Sequence, residues 1–209
     1  MSCRMFLVRH GETQWNVDFR FQGQSDIELT DKGEMQALKL GQTLADEKIS
    51  AIYSSDLSRA VKTAEIIAEH HELNIKKIPE LREINFGIWE GLTYDEINTS
   101  YSDLYKKWRG NTIEVKIPKG ESLAEVAERS VGAIHRLVGQ HNDESIIVVA
   151  HGGVIRCIVS DVLRMDLNHF WRLRLDNTSV SVVDFLDNGR EIVTQLNNCT
   201  HLNCKWPDF

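Results

Sequence analysis

The chain has little of what would commit it to an oxidising compartment, a membrane or a polyanion. Its four cysteines, Cys3, Cys157, Cys199 and Cys204, are too few and too irregularly spaced for a disulfide scaffold. No apolar stretch approaches the roughly 20 residues of a membrane span, and the run opening at Met1-Ser2-Cys3-Arg4-Met5 is too short for a secretory hydrophobic region. Long Lys/Arg blocks are missing from a chain of formal net charge -7, so no nucleic-acid or anionic-membrane partner is expected and any anion must be caught locally. Internal repeats, low-complexity tracts and linkers are absent too. The expectation is a cytoplasmic protein whose residues 1–209 form one domain, long enough to bury a full core.

What is present is an alternation of strand-like and helix-like periods. Arg4 to Val8, Ala51 to Ser54, Asn74 to Ile78 and Ser145 to Ala150 read as strands. Between them, Thr30 caps a helix over about residues 31–47, with Met35, Leu38, Gly41, Leu44 and Ala45 on one face, and Ser58 to His71 is helical. Ser122-Leu123-Ala124-Glu125 is a capping box ahead of a further helix, and Val154 to Leu163 reads as the helix after the fourth strand. Asp187-Asn188-Gly189 is a hairpin turn between runs at 179–186 and 192–196. The pattern predicts an α/β fold, a three-layer α/β/α sandwich around a mostly parallel sheet. Residues 83–121 break the alternation and are rich in glycine and aromatics, which suits a loop-helix roof over a pocket. Trp89, Tyr94, Tyr105, Trp108 and Phe170 are either that roof's substrate-facing side chains or core filling; both readings stand at this level.

Two histidines carry the chemistry. His10 in Phe6-Leu7-Val8-Arg9-His10-Gly11-Glu12 and His151 in Val148-Val149-Ala150-His151-Gly152-Gly153 each end a β-branched, apolar run and precede glycine. Strand ends followed by glycine are where open α/β sheets hold ligands, so both imidazoles belong on one sheet rim. Phosphoryl transfer needs a nucleophile in line with phosphorus, cations on the non-bridging oxygens and an acid for the leaving oxygen. A neutral His10 is nucleophilic through one ring nitrogen when the other donates its hydrogen to a backbone carbonyl. Arg9, and Arg59 at a helix start, are candidate phosphate clamps. Glu80, Glu83 and Glu90 compete equally for the acid.

Arg9-His10-Gly11-Glu12-Thr13 with Asn16, then Gln22-Gly23, Leu29-Thr30-Asp31-Lys32-Gly33, Ser54-Ser55-Asp56-Leu57-Ser58-Arg59-Ala60, Leu81-Arg82-Glu83-Ile84-Asn85-Phe86-Gly87, Gly120-Glu121-Ser122 and Ala150-His151-Gly152-Gly153 follow one another in order. In this the chain resembles the histidine phosphatase superfamily, in its phosphoglycerate mutase-like branch, collinearly from Phe6 to His201. The resemblance implies that His10 is the nucleophile that becomes phosphohistidine and that Glu83 is the proton donor. It implies that Arg9, Asn16, Gln22, Gly23, Arg59 and His151 bind the phosphate, with no metal and no cofactor. The implied partner is a small-molecule phosphomonoester, met by a monomer or homodimer. The family's mutases carry a longer lid with a paired arginine, whereas Glu83 to Gly120 here holds Lys106, Lys107, Arg109, Lys116 and Lys119 and no Arg-Arg pair. Hydrolysis is therefore expected, with phosphoglycerate mutase and a non-catalytic phospho-ligand or protein-binding module as alternatives. Leu175 to Ser181 and Leu196 to Leu202 further resemble the α-ribazole and broad-specificity phosphatases.

The remaining polar features read as structural. His135, His141, His169 and His201 show no partner, and His70-His71 ends a helix whose dipole an imidazolium would complement. The spacing Cys199-x-His201-x-x-Cys204 has the look of zinc ligands without an evident fourth, and reads as a tail.

Overall fold

The computed structural model describes residues 2–202. Its strands are β1 (Cys3–Arg9), β2 (Ile49–Ser54), β3 (Ile75–Lys77), β4 (Glu144–Ala150), β5 (Val180–Phe185) and β6 (Glu191–Asn198). They form one sheet in the order β3-β2-β4-β1-β5-β6. The first four are mutually parallel, while β5 runs antiparallel to β1 and to β6. The β5–β6 hairpin turns at Asp187-Asn188-Gly189 as its sequence requires.

The strand pleat sorts the core into two layers. Along β1, Met5 and Leu7 join one cluster and Phe6 and Val8 the other; along β4, Ile146, Val148 and Ala150 oppose Ile147 and Val149 in the same way. Burial on both faces is why these strands are unbroken apolar runs instead of alternating ones. Each such Val, Leu or Ile contributes about 1.5–3 kcal/mol on leaving water. After a short α1 (Gln14–Val17), helices α2 (Asp31–Leu44) and α3 (Ser58–Ala68) cover one face. The other face is covered by α6 (Leu123–Val138) and α7 (Gly152–Val162). The chain steps outward from β1 to β3, then back through β4 to β5. Its helices change face where its direction reverses, as a constant crossover hand demands.

Both expected caps form: Thr30 accepts from the Gly33 amide, and Ser122 with Glu125 closes a reciprocal box. The buried stripe of α2 is not the expected one. Gly33, Ala37, Leu40, Gly41 and Leu44 face inward, whereas Met35 is 53% exposed and Ala45 is exposed. The cause is long-range: the Thr30 amide donates to Glu12 O, and a Cβ on Gly33 would collide with the same carbonyl, which pins the helix's first turn and its rotation. α3 stops at Ala68, so His70 and His71 lie beyond it in a turn. The His70 ring packs where a Cβ of Gly41 would be, and burial together with the neighbouring His70 lowers the His71 pKa, so the pair serves packing and not the helix dipole.

Between β3 and α6, a 3-10 turn at Gly87–Trp89 leads to α4 (Tyr94–Ser100) and α5 (Ser102–Gly110). Trp89, Trp108 and Phe170 are buried in the core, and Tyr105 lies against Tyr94, Trp89 and Trp108. Most of the aromatic mass of this segment is therefore core filling.

Candidate active site

Because β2, β4 and β1 are parallel neighbours, their C-terminal ends share one rim. The register pairs Arg9 with Ala150 and Ser54 with Val149, so His10, His151 and Ser55 stand together one residue past the strands. The ladder continues into them: His10 N donates to Ala150 O at 3.0 Å and Ser55 N to Val149 O at 2.9 Å. The His10 and His151 ring centroids are 5.1 Å apart, with ring planes at 56°.

Each ring is held by one nitrogen. His10 Nδ1 donates to Gly11 O at 2.7 Å, which leaves the lone pair on Nε2. Burial, then Arg59 and Arg9, push the His10 pKa well below its ordinary value, so the ring stays neutral. His151 Nε2 lies 2.8 Å from Ser55 Oγ, and that oxygen already accepts from Leu57 N at 3.3 Å. A Ser55 hydroxyl that donates to Nε2 puts the His151 proton on Nδ1, a buried atom with no partner. The His151 pKa is likewise pushed well down, by burial first and then by Arg59, His10 and Arg9.

Two guanidinium groups flank the rings. Arg59, in the first turn of α3, is wholly buried. Its Nη1 and Nη2 donate to Ser25 O at 2.8 Å and Gly23 O at 2.7 Å. Burial lowers its pKa to about 10, so it remains a cation at neutral pH. Arg9 Nη1 donates to Leu175 O at 2.6 Å, and the Nε atoms of both arginines are buried and unpartnered. Asn16 Oδ1 accepts from Thr13 N and from Asn177 Nδ2, each at 3.1 Å, which leaves the Asn16 amide nitrogen to donate elsewhere. Asn177 also reaches His10 O at 3.1 Å and Gly11 O at 3.2 Å.

The three candidate acids separate cleanly. Glu80 pairs with Arg136 at 2.6 Å on the surface. Glu90 is a loop clamp, its carboxylate accepting from the amides of Gln24, Ser25 and Phe86. That grip requires Gly23, which sits at φ +56° and whose Cβ would run into Glu90. Glu83 lines the cleft, with both oxygens 3.1 Å from Gly153 N and Oε1 2.9 Å from Ile84 N. Arg129 of α6 fixes its backbone by donating to the carbonyls of Glu80, Arg82 and Glu83 at 2.7, 2.7 and 3.0 Å.

The cleft holds about 410 Å³ and is walled by Arg9, His10, Asn16, Gln22, Gly23, Arg59 and Glu83; His151 is fully buried, its ring beside that of His10. Its outer part adds residues that the sequence reading missed, chiefly Phe19, Arg156 and Trp171; of the expected roof aromatics, Tyr94 is in the wall. Ser55, Asn177 and Arg129 were also missed as supports. For two of them the signal was placement: Ser55 follows the end of a strand adjacent to that of His151, and Asn177 lies in the loop entering β5 beside β1.

Away from the cleft, His135, Asp161 and Glu191 could jointly face a metal, but Arg164 already reaches both carboxylates. His141 bonds Tyr53 Oη at 2.8 Å and pairs with Glu144. His201 Nε2 lies 3.0 Å from Thr178 Oγ1, and its pKa is pushed down to about 4 by burial. These histidines thus have partners invisible in the sequence, while Cys204 of the zinc-like spacing lies outside the described residues. No helix among the described residues is long and apolar enough to cross a membrane.

A neutral imidazole flanked by the fully buried Arg59 and the part-buried Arg9, with a carboxyl in the same wall, suits group transfer from a tetrahedral anion. The family model of the histidine phosphatase superfamily, branch 1, matches residues 5–198. Phosphoserine phosphatase 1 of Hydrogenobacter thermophilus is 35% identical over 199 residues, covering 95% of this chain and 94% of that one. The Cronobacter sakazakii protein named "Probable phosphoglycerate mutase GpmB" is 40% identical over 182 residues, 87% of this chain and 85% of its own. Among solved structures, Bacillus stearothermophilus YhfR aligns with a TM-score of 0.89 at 33% identity, over 96% of this chain and 99% of that one. A phosphoserine phosphatase of Entamoeba histolytica, solved with phosphoserine, gives 0.85 at 32%, over 96% and 99%. The motif order, the paired imidazoles on one sheet rim and these likenesses lead to one statement: the chain belongs to the histidine phosphatase superfamily, branch 1.

Proposed function

We propose that this protein is a phosphomonoester hydrolase that works through a phosphohistidine at His10. The observation that carries the reading is the His10 Nδ1 bond to Gly11 O, which leaves Nε2 as an unprotonated nucleophile in a cleft with Arg9 and Arg59. Nε2 attacks phosphorus and the ester P–O bond breaks. Glu83 gives its proton to the leaving oxygen; the resulting carboxylate takes a proton from the water that then cleaves the P–N bond, returning free phosphate, His10 and protonated Glu83. Arg9, Arg59, the Asn16 amide, the Gln22-Gly23 loop and His151 Nδ1–H hold the non-bridging oxygens. Two guanidiniums supply the charge compensation that a metal supplies in other phosphotransferases.

Hydrolysis is favoured over mutase action because none of the cations between Glu83 and Gly120 lines the cleft, so this segment brings no basic side chain to close over the substrate between half-reactions. Small phosphorylated metabolites are the proposed substrates, and α-ribazole 5′-phosphate and phosphoserine head the panel to be assayed. The filled positions His10 and Glu83 argue against a silent binding module. Turnover of p-nitrophenyl phosphate in excess EDTA, wild type against His10→Ala, tests the reading. Activity should survive chelation and vanish in the variant; loss on chelation, or a substantially active His10→Ala, overturns it.

A further inference from the structure

One cation in the cleft wall has no task in the scheme above. Arg156 lies on α7, one turn after Gly152, and its Nε donates to Leu173 O at 2.7 Å. Its guanidinium carbon stands 5.5 Å from the centroid of the Trp171 ring, which is also in the cleft wall. Arg9 is a neighbour across Gly152: a Cβ built on Gly152 would lie 3.3 Å from Arg156 Nη1 and 3.6 Å from Arg9 Nε. Other arginines in partly buried settings are neutralised, Arg82 by Asp56 and Arg129 by Glu121. Among the described residues, no carboxylate comes within ion-pair distance of Arg156, and Arg20, the other outer cleft arginine, is taken by Glu96 and Gly91 O.

Arg156 works against the charge of Arg9, while Glu83 and Asp176 act on both guanidiniums in the opposite sense without forming an ion pair with either. A dianionic phosphoryl group on Arg9 relieves part of that. A second anion, placed on the Trp171 side, relieves the rest and meets a planar fork able to bind a carboxylate through two hydrogen bonds. The indole face excludes water from one side of the pair, which strengthens it.

We propose that Arg156, seated between Arg9 and Trp171, anchors a carboxylate on the leaving group, so that the preferred substrates are phosphomonoesters of small hydroxy acids. This rests on the reading of the cleft as a phosphomonoester site and adds its substrate class.

The test uses two pairs of esters that differ at the carboxylate: O-phosphoserine against O-phosphoethanolamine, and 3-phosphoglycerate against glycerol 3-phosphate. Affinities are measured by calorimetry in the His10→Ala background, which does not turn over, with and without Arg156→Gln. Steady-state kcat/KM is measured for the same esters in enzymes that retain His10. With Arg156 present, each carboxylate ester should be favoured about tenfold or more, as a charged hydrogen-bonded pair provides. Arg156→Gln should bring both ratios to within about threefold of one another, and Arg156→Lys should restore part of the preference. Ratios near one with Arg156 present overturn the proposal, as do ratios that survive Arg156→Gln. Equal weakening of both members of each pair would instead make Arg156 a third phosphate ligand. If no ester is hydrolysed, the hydrolase reading fails, and the calorimetric ratios still decide the carboxylate site.

Discussion

Replacing Glu83 by Gln removes a proton donor while leaving its mooring in place. The amide oxygen of the new side chain can still accept from Gly153 N and Ile84 N, the two amides that hold the carboxylate at 3.1 and 2.9 Å. The structural loss is the difference between charge-assisted and neutral hydrogen bonds, about 1–2 kcal/mol. The catalytic loss depends on the leaving group. An alkoxide must be protonated as the P–O bond breaks, so kcat/KM for an alkyl ester should fall about 10²- to 10⁴-fold. Nitrophenolate leaves without protonation, so kcat/KM for p-nitrophenyl phosphate should fall less than about tenfold. The second half-reaction still needs a base for water, and it slows for every substrate. Glu83→Gln should therefore release one equivalent of nitrophenolate in a rapid-quench burst, followed by slow turnover. Equal loss of kcat/KM on both esters, with no burst, would refute the reasoning and return the proton transfer to another group.

Acid stability and the support of His151 provide two more tests. His10 and His151 have folded-state pKa values well below their ordinary value, so below about pH 6.5 the unfolded chain binds protons that the native state refuses. Their contribution is complete above that pH and is lost as pH falls toward the folded values, by up to about 1.4 kcal/mol per pH unit for each ring. His201, pushed to about 4, adds to the same slope. Urea unfolding at a series of pH values should show stability declining below 6.5, and a flat profile would contradict the burial argument. Ser55→Ala leaves His151 Nε2 buried without its 2.8 Å partner and should cost about 1–3 kcal/mol in the same assay. An unchanged midpoint would show that the hydrogen bond carries nothing.

The histidine rim was legible because strand runs and the glycines after them are local signals. Once β1 and β4 pair in register, His10 and His151 have nowhere else to go. The caps at Thr30 and Ser122 were legible for the same reason. The choice of Glu83 over Glu80 and Glu90 came from family resemblance; what separates them physically is partnership with Arg136, with loop amides or with the N-terminus of α7, and each is a contact across 50 or more residues. The rotation of α2 was misread because two apolar stripes compete along it and a carbonyl of Glu12 decides between them. Arg156 and Trp171 were invisible because a helical arginine and a lone tryptophan look ordinary until the 3-10 segment Leu167–Arg172, which carries Trp171, folds back on α7.

The central claim is that His10 Nε2 accepts the phosphoryl group. Enzyme mixed with substrate, quenched within milliseconds in strong base and digested, should yield by mass spectrometry a peptide 80 Da heavier at His10, about the mass of one added phosphoryl unit, with the largest yield in Glu83→Gln. Phosphate found on another residue, or full single-turnover hydrolysis with His10 never modified, would contradict the account.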